Sequence, residues 1–182
     1  MNLTAEDLWF LSDTTDMKND LFQNIFFGLM CLAFTACVSV NIPSNTGSPA
    51  KDIKCENVGE PFKELKIKTS DRAWVSSKTG NSISYISECY TSVDSTLEQL
   101  ENESLVALNK LKIIQSKNLT YNAREALSTI SEGEVDGVLV KTQTLVFKKN
   151  GCNFTLSYGG IRSNFESELS HFQKFTETFR AP

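Results

Sequence analysis

Glu134-Val135-Asp136-Gly137-Val138-Leu139-Val140 and, a little further on, Lys148-Lys149-Asn150-Gly151-Cys152-Asn153-Phe154-Thr155-Leu156-Ser157-Tyr158 decide the fold. Asp-Gly and Asn-Gly between apolar runs are strong hairpin signals, because both residues of the tight turn must take positive φ. They predict strands over Arg124–Val135, Val138–Lys148 and Cys152–Tyr158, joined as an antiparallel meander. The last of these alternates strictly, with Cys152, Phe154, Leu156 and Tyr158 on one face.

Outward from the meander, two further strand-like runs, Arg72–Lys78 and Ser82–Tyr90, flank the loop Thr79-Gly80-Asn81. Ile83, Tyr85, Ser87 and Cys89 share one face of the second run. Lys112–Ser116 reads as a short strand. Between them, Ser95-Thr96-Leu97-Glu98 has the form of a capping box, and Leu97, Leu100, Leu108 and Leu111 recur at helical spacing, predicting a helix over about 95–110. After Gly159-Gly160, Ser163-Asn164-Phe165-Glu166 offers a second box. Phe165, Leu169, Phe172, Phe175 and Phe179 then follow at spacings of 4, 3, 3 and 4. That is one apolar stripe of a C-terminal helix, with Glu168, Gln173, Lys174 and Glu177 expected on its polar side. The fold class is therefore α+β, an antiparallel sheet meander flanked by two amphipathic helices, forming one domain over residues 54–182.

The N-terminal third reads differently. Of the net charge of −4, residues 1–36 carry five acids against the single base Lys18. From Cys37 onward acids and bases balance, so no broad basic field invites nucleic acid. Met17-Lys18 reads as the start of a signal peptide, with residues 1–16 upstream of the true start. Ile25–Ala36 suits its apolar stretch and is too short to span a bilayer. Phe34-Thr35-Ala36-Cys37 has the form of a lipoprotein processing site with Cys37 as lipid acceptor, although Phe34 departs from the usual Leu. Val38 after the cysteine leans towards the outer membrane. Residues 37–53, rich in Asn, Ser, Pro and Gly, read as the lipidated cysteine and a flexible tether. A buried helix over 21–40 and an uncleaved membrane anchor are the competing readings. The expectation is a protein held in the cell envelope by a lipid on Cys37 and facing the periplasm, with an envelope protein as partner.

Cys55, Cys89 and Cys152 remain after export and allow one disulfide. Cys152 reads as a small buried residue in a strand, which leaves Cys55–Cys89 as the expected pair. Metal-ligand spacing is missing, His171 is the single histidine, and no cofactor motif occurs. Glu132, Glu134 and Asp136 before a turn read as a solvated hairpin end rather than a calcium loop. Trp74 and Tyr85 are either half-buried sheet residues or an aromatic contact patch. The sequons at Asn102, Asn118 and Asn153 read as chance.

Gly133-Glu134-Val135-Asp136-Gly137, the strand to Phe147, the run Asn150–Tyr158, and Phe172-Gln173-Lys174-Phe175 with Phe179-Arg180 resemble the PsbP-like fold over about residues 60–181. That family includes an extrinsic photosystem subunit, a Ran-binding nuclear transport factor and bacterial periplasmic lipoproteins. The resemblance implies an α-β-α sandwich and a non-enzymatic module for assembly or partner binding, with no catalytic residues to carry over. Two alternatives each require one feature. A carrier of an apolar ligand needs a pocket of several hundred Å³ among the phenylalanines, between sheet and last helix. A hydrolase needs His171 in reach of a nucleophile and an orienting carboxylate.

Overall fold

The computed structural model describes residues 47–89 and 94–182, so the expected signal peptide, Cys37 and most of the expected tether lie outside the described residues. Strands β1 (Phe62–Leu65), β2 (Arg72–Ser76) and β3 (Ser82–Cys89) precede helix α1 (Leu97–Leu105). The long strands β4 (Asn109–Tyr121), β5 (Arg124–Val135), β6 (Val138–Lys149) and β7 (Cys152–Ile161) follow. A 3-10 segment, Arg162–Glu168, leads into helix α2 (Leu169–Thr178). All seven strands form one antiparallel sheet in the order β1-β2-β3-β7-β6-β5-β4. The α+β architecture with a helix on each face is as the sequence implies.

The two expected turns form as read, with Asp136 at φ 50° and Gly137 at φ 79°, then Asn150 at φ 50° and Gly151 at φ 74°. A third tight turn, Asn122-Ala123, also has both residues at positive φ, 50° and 60°. Alanine is a poor signal for that conformation, and with the turn unrecognised β4 reads as a five-residue strand instead of thirteen. The four-residue β1 likewise carries too little alternation to be seen.

The helices correct the expected boundaries. Thr96, not Ser95, caps α1: its Oγ1 accepts from Gln99 N at 3.2 Å, and Gln99 Oε1 accepts from Thr96 N at 2.8 Å. The adjacent frames Ser95/Glu98 and Thr96/Gln99 both satisfy the motif, so spacing alone does not choose. The second expected box, Ser163 with Glu166, does not form, because residues 162–168 wind as a 3-10 turn without a side-chain cap. At three residues per turn, this segment rotates Glu168 away from the expected polar face and buries it.

Sheet register sorts the core. Ala126, Phe147 and Phe154 lie in one transverse row, with Tyr85, Leu156 and Leu145 in the next. These side chains meet Phe165, Phe172, Phe175 and Phe179 on one face of the sheet. Trp74 and Tyr85 join this layer at 0% and 5% exposure, which removes the contact-patch reading. The rings stack on one another: Phe147 on Phe154 at 4.8 Å, Trp74 near Phe175 at 5.4 Å, Tyr158 on Phe172 at 5.7 Å. The layer is filled by the protein's own rings, which leaves the carrier reading without the space it requires. On the other face, α1 covers Leu127 and Val146 with Leu97 and Leu100.

Cysteine pairing differs from expectation. Cys89 bonds to Cys152, and Cys55 is the free thiol. Register explains it: Cys89 and Cys152 are direct cross-strand partners on β3 and β7. Cys55 instead precedes β1 and accepts a contact from Arg72 Nη1 at 3.4 Å. The segment expected to be a flexible tether through residue 53 is fixed from Ser48, whose N and O pair with Cys89 O and N at 3.1 and 2.8 Å. Lys54 pairs in the same way with Arg180.

Two outcomes test this packing. Phe172→Ala is expected to destabilise by about 3–5 kcal/mol and His171→Ala far less, read as urea-unfolding midpoints; the reverse order would reject the helix phase. Cys152→Ser is expected to remove about 2–5 kcal/mol, while Cys55→Ser leaves the midpoint unchanged. Equal loss in the two cysteine variants would reject the Cys89–Cys152 pairing.

Candidate functional site

Residues expected to carry chemistry do not converge. His171 is half-buried on α2, its Nε2 3.2 Å from the Glu60 carbonyl and its ring 5.3 Å from that of Phe62. Neither a hydroxyl, a thiol nor a carboxylate hydrogen-bonds it among the described residues, so the arrangement that base catalysis requires is not assembled around it. Glu134 pairs with Lys110 at 2.9 Å and Glu132 with Arg162 at 3.6 Å, while Asp136 occupies the exposed turn. Each of these two glutamates faces its own base rather than a shared centre. Cys55 sits beside Arg72, whose guanidinium grips Glu64 through two bonds of 2.9 Å and lies 4.7 Å over the Trp74 ring. This fork holds the Glu64 carboxyl below its ordinary pKa, chiefly by hydrogen bonding.

One buried polar cluster escapes sequence reading altogether. Glu168, 4% exposed, accepts from Ser76 Oγ at 2.7 Å, from Thr79 Oγ1, and from Asn81 Nδ2 at 3.1 Å. Asn81 Nδ2 also lies 3.0 Å from Tyr158 Oη and 2.9 Å from the Asn164 carbonyl. Tyr158 Oη in turn donates to the Phe165 carbonyl at 2.6 Å, and burial pushes its pKa up to about 12. Gly160 is required here, since a Cβ at this position would fall 1.9 Å from Asn81 Oδ1. The cluster ties the β2–β3 turn to the 3-10 segment across the sheet. The Glu168 carboxylate, Tyr158 Oη and Asn81 Nδ2 are engaged with neighbouring groups, whereas Asn81 Oδ1 is buried without a hydrogen-bond partner among the described residues; the arrangement is a structural clasp. The signal available in sequence, Asn81 after Thr79-Gly80, reads simply as turn chemistry.

What remains open to solvent is surface. An open groove of about 630 Å³ runs between the start of α1 and β4, lined by Thr96, Leu97, Asn118, Thr120, Glu125 and Lys148. Beside it, β4 lies at the edge of the sheet and is exposed along nearly all its length. No three His, Cys, Asp or Glu side chains gather as a metal site among the described residues.

The clasp is testable by itself. Glu168→Ala is expected to cost about 1–3 kcal/mol for each buried donor left without a partner, and Glu168→Gln less, because the amide oxygen still accepts. Equal urea midpoints for Glu168→Ala and the parent would reject the clasp.

No protein-family model matches the chain, and no curated protein matches it. Solved structures do. The mycobacterial protein LpqN from Mycobacterium tuberculosis, described as involved in cell envelope biogenesis, aligns with a TM-score of 0.55 and 16% identity, over 75% of this chain and 86% of that one. Cyanobacterial PsbP (CyanoP) from Synechocystis aligns with a TM-score of 0.50 and 13% identity, over 68% of this chain and 83% of that one. At such identities the likeness shows the fold alone: a seven-stranded antiparallel sheet with a helix on each face, similar to that of the cyanobacterial PsbP.

Proposed function

We propose that this chain is an exported lipoprotein of the cell envelope, anchored through a lipid on Cys37, whose PsbP-like domain works without catalysis as a binding or assembly module facing the periplasm. The observation that carries the reading is the order of parts: an apolar run ending at Ala36, a cysteine, a polar spacer, and then a folded domain beginning by Ser48. The Cys89–Cys152 bond supports export, because disulfides persist in oxidising compartments. The fold neighbour described as involved in cell envelope biogenesis supports the same location. The non-catalytic part of the reading is supported by the isolation of His171 and by the closed clasp around Glu168. Among the described residues no helix is long and apolar enough to cross a membrane.

The anchor is tested in cells. Cys37→Ser is expected to abolish fatty-acid labelling and to leave the precursor unprocessed or the protein released from membranes. Undiminished labelling of that variant would reject Cys37 as the lipid acceptor.

A further inference from the structure

We propose that the outer edge of β4 is the docking strand of this module, and that it takes an extended segment of a partner protein in which acidic and apolar residues alternate. The inference rests on the binding-module reading and specifies the surface and the chemistry of what it binds.

Among the described residues strand β4 pairs with β5 on one side alone, so its other edge presents N–H and C=O groups unpaired by them. Such an edge is a ready template for an added strand. From Gln115 to Tyr121 its register is unbroken, whereas irregularities are confined to the stretch before Gln115. The opposite edge, β1, offers four residues against thirteen.

Side chains on the two faces of β4 specify what is added. Ile113 lies opposite Ser131 on the α1 face, 46% exposed, with Leu111 near it at 43%. The apolar surface continues on that face through Val135, Val138 and Ile161, beyond the end of α1. On the opposite face, Lys112 lies across from Glu132 and Lys117 across from Ser128. Both lysines are exposed and neither forms an ion pair among the described residues. No acidic residue occurs in β4.

A strand added here sends successive side chains to opposite faces. Acidic residues on one side of the segment would meet Lys112 and Lys117, and apolar residues on its other side would meet Leu111 and Ile113 at one end, beyond which that face of β4 carries Ser116, Asn118 and Thr120. The same charges disfavour a second copy of this chain as occupant: two β4 edges would bring their lysines onto a shared ladder with no acid between them. Edge lysines and bulges are common defences against self-pairing. In this strand they also select the partner by charge.

The test uses the full chain purified in detergent, with a synthetic peptide of alternating glutamate and valine as probe. A peptide of alternating lysine and valine is the control. Binding is read by fluorescence anisotropy and located by amide hydrogen exchange. The glutamate peptide is expected to slow exchange at β4 amides between Ile113 and Thr120, and the lysine peptide to bind at least about tenfold more weakly. Reversing both charges, Lys112→Glu with Lys117→Glu, is expected to invert that preference. Both positions are exposed, and unchanged circular dichroism verifies folding. If the variant failed to fold, the two-peptide comparison on the parent chain would still decide. Protection elsewhere, no protection, equal binding of the two peptides, or self-association through β4 in sedimentation would each overturn the proposal. A failed peptide experiment with fatty-acid labelling of Cys37 intact rejects the edge and leaves the envelope reading standing. Lost labelling with peptide binding intact does the reverse.

Discussion

The aromatic layer between the sheet and the C-terminal segment is what the rest of the structure depends on. Phe179 lies at its centre, with ring centroids 5.2 Å from Tyr85, 5.8 Å from Phe175, and 6.3 Å from both Phe147 and Phe154. These contacts join β3, β6 and β7 to the end of α2, elements spread over nearly a hundred residues of chain. Burying each ring contributes about 1.5–3 kcal/mol, and edge-to-face contacts add to this. A ten-residue helix is marginal in water by itself, so α2 owes its existence to this layer. In return it shields the sheet face that would otherwise expose the rings of Trp74, Phe147 and Phe154.

A second constraint concerns the seam between β3 and β7. Every pairing from β4 to β7 is a local hairpin, whereas β3 and β7 are joined across more than sixty residues of chain. Such a long closure carries an entropic cost that hairpins avoid. The seam is fastened at both ends. Cys89–Cys152 holds one end covalently, and the Asn81–Tyr158–Glu168 clasp holds the other, where Ser82 pairs with Gly159. Serine 48 adds a backbone pair to Cys89 at the disulfide end, so the start of the domain is stitched to the same place. The two features missed in the sequence therefore serve one mechanical purpose.

With polar groups engaged in the clasp and aromatic rings in the core, the proposed docking surface lies on the outside. The sheet is asymmetric in this respect. Its β1 side is short, and Phe62 there is buried. Its β4 side is long and exposed, and lies beside the groove left by α1. Ion pairs such as Lys110–Glu134 and Lys141–Glu166 line the α2 face at that end, while the α1 face keeps bare apolar side chains. Edge, apolar strip and lysines without an ion pair among the described residues share that strand, which is the physical basis for proposing recognition at β4 rather than at the histidine or the acidic hairpin.

Local chemistry made much of the architecture legible in sequence. Asp136-Gly137 and Asn150-Gly151 dictate their turns because few residues tolerate positive φ, and period-two alternation orients the strands around them. The phenylalanine stripe likewise declares its docking face. Tertiary structure decided the rest, for reasons that depend on distant partners. Which cysteine meets Cys89 follows from the β3–β7 register, and nothing local encodes that Cys152 lies opposite. Burial of Glu168 follows from a change of helical period and from donors on Ser76, Thr79 and Asn81, far away in the chain. The exposure of β4 follows from sheet order, because a strand becomes an edge through what fails to pair with it. Composition and spacing determine what a segment prefers, but its neighbours determine what it touches.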